Sequence, residues 1–262
     1  MDKVRVALIQ MNISTGNWEE NVSRAESFLE QASNVQAQIC LLPEMWSTGL
    51  ALGGKFYSLA EGYFQKTLGL MRSWAKKYRL FLVAGSIPET TEGRLYNTSF
   101  FISPAGEVLG FYRKRELFPL FREGKYFSPG REIKVFKTPW GKAGIAICYE
   151  LRFPEGFQQL RKLGARMIFV PAQFPLPREN HWTTLLKSRA IENQYYVVAC
   201  NRVGKDAQGL SYFGGSMIVD PWGDVLIQAR DDEAVLALEL DLSLVEKIRK
   251  EFPVLKDQGR KL

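Results

Sequence analysis

A thiol and several charged side chains follow directly after one apolar strand. Residues 144–155 read GIAICYELRFPE, so the strand ends at Cys148 and runs into a phenol, two carboxylates and a guanidinium within eight residues. Buried strands more often end in Gly, Asn or Asp turns. A cysteine becomes a nucleophile only when a base or cation favours its thiolate, and an isolated strand cysteine is more often inert core. Cys148 alone therefore leaves both interpretations open.

Two further strand ends present an acid and an amine. LLPEMWSTG places Glu44 after an apolar run and a proline, and FYRKRELF places Lys114 at the end of another strand. Desolvation makes a carboxylate a better proton acceptor, and an ammonium can stabilise a developing oxyanion. The alternatives are a salt-bridged loop acid and an exposed strand-end lysine. With Glu44 and Lys114 at two other strand ends, the balance moves towards Cys148 as a nucleophile.

Hydrophobic periodicity predicts the elements that would position these residues. Alternating or continuous apolar runs predict strands at 4–11, 39–43, 80–87, 96–103, 108–113, 134–138, 143–148, 166–171, 196–201, 215–220, 225–229 and 234–241. Helical spacing predicts helices at 18–33, 64–78, 155–163, 182–194 and 243–251. The alternation of the two types indicates an α/β protein, and strands joined by tight turns favour mixed sheets.

Two pairs of segments repeat within the chain. SPAGEVLGFY at 103–112 resembles DPWGDVLIQA at 220–229, and AQICLLPE at 37–44 resembles ARMIFVPA at 165–172. Such similarity favours two halves related by a pseudo-two-fold axis, although hairpin turns also converge on Pro-x-Gly. No Ser/Gly-rich linker separates the halves. We therefore predict that residues 1–262 form a single domain.

Composition excludes several classes of protein. The 262 residues are 46% hydrophobic and 13% aromatic, which is enough for a large core. The net charge of +7 is spread along the chain without a recognisable nucleic-acid module. The N-terminus reads as a strand rather than a signal peptide, and no segment approaches the roughly 18 apolar residues of a membrane span. The expectation is no nucleic acid and no membrane partner.

Cysteine and histidine are too few for a disulfide framework or a metal centre. The three cysteines are Cys40, Cys148 and Cys200, widely spaced and odd in number, and the single histidine is His181. This usage predicts no metal and a cytoplasmic protein with reduced thiols. Cys40 and Cys200 lie in apolar strands and are predicted to be core residues.

The motifs around the three strand-end residues resemble those of a known family. Glu44 in LPEMWSTG, Lys114 in YRKRELF and Cys148 in GIAICYELRFPE are similar, in order and spacing, to the Glu-Lys-Cys triad motifs of the nitrilase superfamily of carbon–nitrogen hydrolases. The resemblance covers essentially the whole chain. EGKYFSPG extends it and places Glu123 at the position of a second glutamate that orients the site.

The resemblance implies a fold and a mechanism. The fold is a four-layer αββα sandwich of two mixed sheets with pseudo-two-fold halves, forming a homodimer or a higher homo-oligomer and using no cofactor or metal. Its substrate is a small-molecule amide. Glu44 is the base, Cys148 the nucleophile, and Lys114 with the backbone N–H of Tyr149 stabilises the oxyanion of a reaction that passes through a thioester.

Residues 171–204 and the later FPVLKD resemble the omega-amidase branch, which acts on 2-oxo-dicarboxylate monoamides. Phe174 stands where tryptophan is expected and Arg115 where histidine is common. The alternative within the family is a hydrolase of N-carbamoyl amines or other small amides, and YELRFPE after the cysteine disfavours a true nitrilase. A catalytically weak interaction protein and a basic nucleic-acid-binding protein are the alternatives from other classes.

The residues around the triad have several possible roles. A substrate carboxylate would bind a cation, for which the candidates are Arg152, Arg178 and Arg115. Aromatic residues either line the pocket or belong to the core, and these are Trp46, Phe174 and Trp182. Glu150 and Arg152 either bind substrate or bridge to each other. His181 is the sole possible base for a Cys-His hydrolase, with helix capping or packing as the alternative.

Overall fold

The structure of the protein is a computed structural model, which describes residues 2–50 and 53–257. The strands are β1 (Lys3–Gln10), β2 (Ile39–Leu41), β3 (Phe81–Val83), β4 (Ile87–Thr91), β5 (Arg94–Ile102), β6 (Val108–Arg113), β7 (Val135–Thr138), β8 (Gly141–Ile145), β9 (Ala165–Ala172), β10 (Tyr196–Asn201), β11 (Val203–Lys205), β12 (Ser211–Phe213), β13 (Met217–Val219), β14 (Val225–Gln228) and β15 (Ala234–Asp241). The helices are α1 (Trp18–Asn34), α2 (Phe56–Lys77), α3 (Glu123–Tyr126), α4 (Pro154–Lys162), α5 (Glu179–Asn193), α6 (Ser243–Glu251) and α7 (Val254–Asp257). Short 3-10 turns cover Gly53–Lys55, Pro119–Phe121, Cys148–Arg152 and Leu176–Arg178.

Two mixed sheets contain the strands predicted from periodicity, which confirms the α/β class. The first sheet has the order β15-β1-β2-β3-β5-β4, with β6 also paired to β5. The second has the order β14-β13-β10-β9-β8-β7, and β11 and β12 form a separate hairpin. In each sheet three central strands are parallel, β1-β2-β3 in the first and β8-β9-β10 in the second. Helices α1 and α2 connect the first set, and α4 and α5 connect the second.

The two halves repeat the same turn as well as the same topology. Each parallel set is followed by an antiparallel hairpin, β5–β6 or β13–β14. In the first hairpin the N–H of Gly106 donates to Ser103 O at 2.8 Å; in the second the N–H of Gly223 donates to Asp220 O at 3.0 Å. These are the Pro-x-Gly turns that repeat in the sequence, so the predicted pseudo-two-fold relation is confirmed.

The sheets pack face to face, and helices cover their outer faces. Leu8 and Val83 of the first sheet share one core cluster with Phe169 and Val198 of the second. Helices α1 and α2 pack on the other face of the first sheet, and α4 and α5 pack against the second. Coverage on both faces explains why β9 and β10 are apolar along nearly their whole length. The result is the four-layer αββα sandwich.

One predicted strand is interrupted. The expected strand at 80–87 contains β3 and only the first residue of β4, and the two strands are separated by a bend at Gly85, whose φ is +54°. A Cβ at this position would lie 2.0 Å from the carbonyl oxygen of Pro43, so only glycine allows this close approach. The bend brings the chain against the segment that leads to Glu44.

Helix α2 begins at Phe56, eight residues before the predicted start at residue 64.

The prediction that residues 1–262 form a single domain stays a prediction, and the core that the two sheets share supports it. Within residues 2–50 and 53–257, no helix is long and apolar enough to cross a membrane.

Candidate active site

The ends of strands from both sheets bring the three predicted catalytic residues into one buried cluster. Glu44 lies three residues beyond β2, Lys114 directly follows β6, and Cys148 lies three residues beyond β8 and begins a 3-10 turn. Their exposed fractions are 0%, 1% and 5%. Buried charges persist in proteins when they are paired, so this cluster has to be compensated from within.

Lys114 is the centre of the cluster. Its Nζ lies 2.8 Å from Glu44 Oε1 and 2.8 and 3.0 Å from the two carboxylate oxygens of Glu123, the first residue of α3. Burial alone disfavours the ammonium, but the negative charges of Glu123 and Glu44 outweigh it and raise the pKa of Lys114 above its usual value. Lys114 is therefore a fixed positive charge.

A side-chain amide and a backbone N–H also donate hydrogen bonds to the Glu44 carboxylate, and neither residue was singled out from the sequence. Asn97 Nδ2, from β5, donates to Glu44 Oε1 at 2.9 Å and to Glu123 Oε1 at 3.3 Å. The backbone N–H of Gln173, just after β9, donates to Glu44 Oε2 at 3.0 Å. The available signal for Asn97 was an amide inside the apolar strand LYNTSFF. These bonds hold the carboxylate in one orientation.

Cys148 has a backbone conformation that is uncommon outside glycine. Its φ is +49°, and its thiol donates to the carbonyl oxygen of Gln173 at 3.7 Å. Burial, followed by the charge of Glu44, raises the pKa of the Cys148 thiol well above its usual value, against the opposing effect of Lys114. The resting group is therefore a thiol, which needs a base at the moment of attack. Tyr149 follows in the same turn, with its ring 4.7 Å from that of Phe118.

Arg152 and Phe174 lie together beside the catalytic turn. The guanidinium carbon of Arg152 lies 5.5 Å from the ring centre of Phe174 and 6.0 Å from that of Tyr149. One interpretation of the sequence expected an ion pair between Arg152 and Glu150, and this ion pair is not formed. Instead, Nη2 of Arg152 lies 3.2 Å from Nδ1 of His181. Among the described residues, no carboxylate lies within ion-pair distance of Arg152.

Trp46 occupies a core position, whereas His181 is exposed and contacts Arg152, and among the described residues neither helix capping nor core packing is seen for it. Trp46 is fully buried, donates its indole N–H to Ala84 O at 3.1 Å and packs on Trp74 below the first sheet. This placement favours a core role over a pocket role. His181 is exposed in the first turn of α5. The charges that act on the thiol of Cys148 come from Glu44 and Lys114, which favours Glu44 over His181 as the base.

Arg178 and Arg115 stand at different sides of the site. Arg178 is half-buried, with its guanidinium 5.5 Å from the ring centre of Phe118. Arg115 is half-buried beside Glu150 and Glu116, where its backbone N–H donates to Glu150. In the described part of the chain, no group of three or more His, Cys, Asp or Glu side chains could hold a metal ion.

The molecule is an αββα sandwich with a buried cluster of Glu44, Lys114 and Cys148 beyond the ends of its strands. A sequence profile described as carbon–nitrogen hydrolase matches residues 5–250. The chain belongs to the carbon–nitrogen hydrolase family.

Known relatives resemble the chain over nearly its whole length. It is 36% identical to the 2-oxoglutaramate amidase of Bacillus subtilis, with 97% of each chain covered. It is 35% identical to the omega-amidase NIT2 of Homo sapiens, covering 98% of this chain and 96% of that protein. Among solved structures, Saccharomyces cerevisiae Nit3, a member of branch 10 of the nitrilase superfamily, superposes with a TM-score of 0.89 at 30% identity, covering 98% and 97% of the two chains.

Proposed function

We propose that this enzyme is an omega-amidase, which hydrolyses the terminal amide of a 2-oxo-dicarboxylate monoamide, 2-oxoglutaramate or 2-oxosuccinamate, to the dicarboxylate and ammonia. The observation that supports amide hydrolysis best is the buried Lys114 held between Glu44 and Glu123 beside the Cys148 thiol. The names of the two relatives support the choice of substrate.

In the proposed acylation step, Glu44 accepts the thiol proton as Cys148 Sγ attacks the amide carbon. The carbonyl oxygen becomes an oxyanion, which the Lys114 ammonium and the Tyr149 backbone N–H stabilise. The C–N bond then breaks, and the nitrogen takes the proton from Glu44 and leaves as ammonia. The acyl group remains on sulfur as a thioester.

In the proposed deacylation step, Glu44 takes a proton from water, and the resulting hydroxide attacks the thioester carbon. The C–S bond breaks, the acid is released, and the thiolate regains its proton. Glu44 is suited to both steps because Lys114, Asn97 and the Gln173 N–H hold its oxygens in place. Glu123 is proposed to anchor Lys114, since it also accepts the Phe118 N–H at 2.5 Å.

The substrate can be tested by measuring ammonia release from a panel of 2-oxo monoamides, N-carbamoyl amines and nitriles. The highest kcat/KM is expected for a short 2-oxo-dicarboxylate monoamide. A clear preference for N-carbamoyl polyamines would replace the omega-amidase assignment with the carbamoyl amine alternative.

We propose Arg152 as the group that binds the substrate's distal carboxylate. Its guanidinium has no carboxylate partner among the described residues and stands beside Tyr149, next to the nucleophile, with Phe174 as an apolar wall. A guanidinium binds a carboxylate through two parallel hydrogen bonds, which gives orientation as well as affinity.

Replacing Arg152 by glutamine is expected to raise KM for 2-oxoglutaramate more than it lowers kcat. Losing a hydrogen bond to a charged group costs about 1.5–3 kcal/mol, or roughly 10- to 150-fold. Steady-state kinetics on this substrate and on a short neutral amide check the result, because the neutral amide should be unaffected. Arg178→Gln is the matched control; if it alone raises KM, the carboxylate binds at Arg178.

We propose that the protein is a homodimer. Ile191, Trp222 and Phe252 are 50%, 55% and 52% exposed, and the rings of Trp222 and Phe252 lie 5.7 Å apart. A Cβ at Gly223 would lie 2.5 Å from Ile191, so the three side chains form one surface, here called the apolar patch. Contiguous exposed apolar groups of this kind mark protein–protein contacts.

Replacing Trp222 by glutamate is expected to convert the dimer to a monomer, because a charge would be buried in the apolar patch. Light scattering coupled to size-exclusion chromatography measures the mass. Val35→Glu, which alters an exposed valine at the end of α1, should leave the dimer intact. A wild-type protein that is monomeric at all concentrations would contradict this proposal.

We also propose a cytoplasmic setting. Cys40, Cys148 and Cys200 are free and buried, and the proposed nucleophile has to remain a thiol. Reducing compartments keep cysteines in this state. The proposed reaction uses a small-molecule amide and water, with no cofactor.

A further inference from the structure

The carboxylate of Glu150 has a role that the proposed mechanism does not include. It is 5% exposed, and four donors converge on it. Its Oε2 accepts the backbone N–H of Ile147 at 2.6 Å. Its Oε1 accepts the Tyr112 hydroxyl at 2.6 Å, the Arg115 N–H at 2.8 Å and the Glu116 N–H at 3.4 Å.

The four donors belong to two segments on which the reaction depends. Ile147 immediately precedes Cys148, and Arg115 immediately follows Lys114. One side chain therefore connects the backbone before the proposed nucleophile to the backbone after the proposed oxyanion lysine. The residue it holds in place, Cys148, is in the left-handed region, a strained conformation that a non-glycine residue keeps only when its surroundings impose it.

The chemistry of this site requires a carboxylate. Ionised, it is an acceptor at both oxygens, whereas the amide of glutamine would turn an N–H₂ donor toward the donors on one side. No lysine or arginine in the described part of the chain forms an ion pair with Glu150, so these hydrogen bonds, together with the nearby charge of Lys114, compensate its burial. Burial raises the pKa of Glu150, and the bonds from Ile147, Tyr112 and Arg115 act against that rise.

We propose that Glu150 is a positioning residue for amide hydrolysis, which holds the Cys148 thiol and the Tyr149 N–H in register with the Lys114 ammonium. This proposal rests on the proposed Glu44-Lys114-Cys148 mechanism. Glu150 does not contact the substrate; it acts through the two segments it connects. It is therefore expected to affect the chemical step and to leave substrate affinity nearly unchanged.

The test compares Glu150→Gln, Glu150→Asp and Tyr112→Phe by ammonia release, with circular dichroism to establish folding. A misplacement of about 1 Å costs on the order of 10²-fold in rate, so Glu150→Gln is expected to lower kcat by about 10²-fold with KM little changed. Glu150→Asp keeps the charge but is one methylene shorter, and its loss should be smaller. Tyr112→Phe removes one donor of four and should have the smallest effect.

A second readout separates positioning from stability. At a temperature well below the unfolding of each variant, the rate of Cys148 alkylation by iodoacetamide is followed by mass spectrometry. Alkylation should slow in the same order as kcat falls, because the thiol is displaced from Glu44. A purely structural role would lower the unfolding temperature while leaving both rates at wild-type values.

Each remaining outcome decides the proposal. A folded Glu150→Gln with wild-type kcat, or with a raised KM and unchanged kcat, overturns it. If Glu150→Gln does not fold, Glu150→Asp decides by the same criterion. If Glu150→Gln behaves like the wild type and Cys148→Ala is inactive, only the proposed role of Glu150 is wrong. If Cys148→Ala is active, the proposed mechanism itself is wrong.

Discussion

Cys148→Ala is expected to abolish ammonia release while the protein stays folded, and no other substitution should lower the activity as much. Cys40 and Cys200 lie within strands β2 and β10, whereas Cys148 lies beyond the end of a strand, where the charges of Glu44 and Lys114 act on its thiol. Trimming one small side chain leaves the core nearly unchanged, so circular dichroism should match the wild type. Hydroxylamine added to the wild-type enzyme should divert the thioester to a hydroxamate, which mass spectrometry detects.

The matched control is Cys200→Ala, which removes another buried thiol, hydrogen-bonded to Ile9 O at 3.0 Å. This variant should keep its activity and lose only stability. Appreciable turnover by Cys148→Ala, or a covalent adduct mapped to Cys40 or Cys200, would contradict the assignment of the nucleophile.

Glu44→Gln is expected to be nearly as damaging. The substitution nearly preserves shape, and its single carbonyl oxygen can still accept from Asn97 or from the Gln173 N–H but not from both, while the proton acceptor is removed. General bases contribute about 10²–10⁴-fold to rates, and the loss here should reach or exceed the upper end because Glu44 acts in both acylation and deacylation. The measurement is kcat/KM on 2-oxoglutaramate, with circular dichroism for folding.

His181→Asn distinguishes this mechanism from that of a Cys-His hydrolase. His181 contacts Arg152 through Nδ1, so its replacement should cause a modest change, confined mainly to KM. The Glu-Lys-Cys interpretation fails if His181→Asn is as inactive as Cys148→Ala while Glu44→Gln keeps most of its activity.

Most elements predicted from local sequence have bounds within a few residues of the predicted ones, and the start of α2, eight residues early, is an exception. The Pro-x-Gly turns repeat because turn chemistry depends on neighbouring residues, and both turns have the hydrogen bonds that their sequences indicate. Helix α6 and strand β6 have the predicted bounds, since periodicity is also local. The placement of Glu44, Lys114 and Cys148 after strands followed from the same patterns.

Contacts between distant residues were not predictable from these patterns. Glu44 lies 70 positions from Lys114, and the pairing of strands within the first sheet brings these two together. Glu44 lies 129 positions from Gln173, which follows a strand of the second sheet, and this pair meets because the two sheets pack face to face. Periodicity states which face of a strand is apolar and says nothing about which other strand covers it. For this reason the roles of Asn97 and Gln173 at the site were missed.

Local patterns in the chain were enough to predict the α/β class, the repeated halves and three strand-end residues whose motifs resemble one family. What surrounds these residues followed from the packing of the folded chain: Trp46 packs below the first sheet, and Glu150 accepts four hydrogen bonds rather than pairing with Arg152. The role of a buried polar group depends on the donors and charges around it, and these come from segments far apart in the chain.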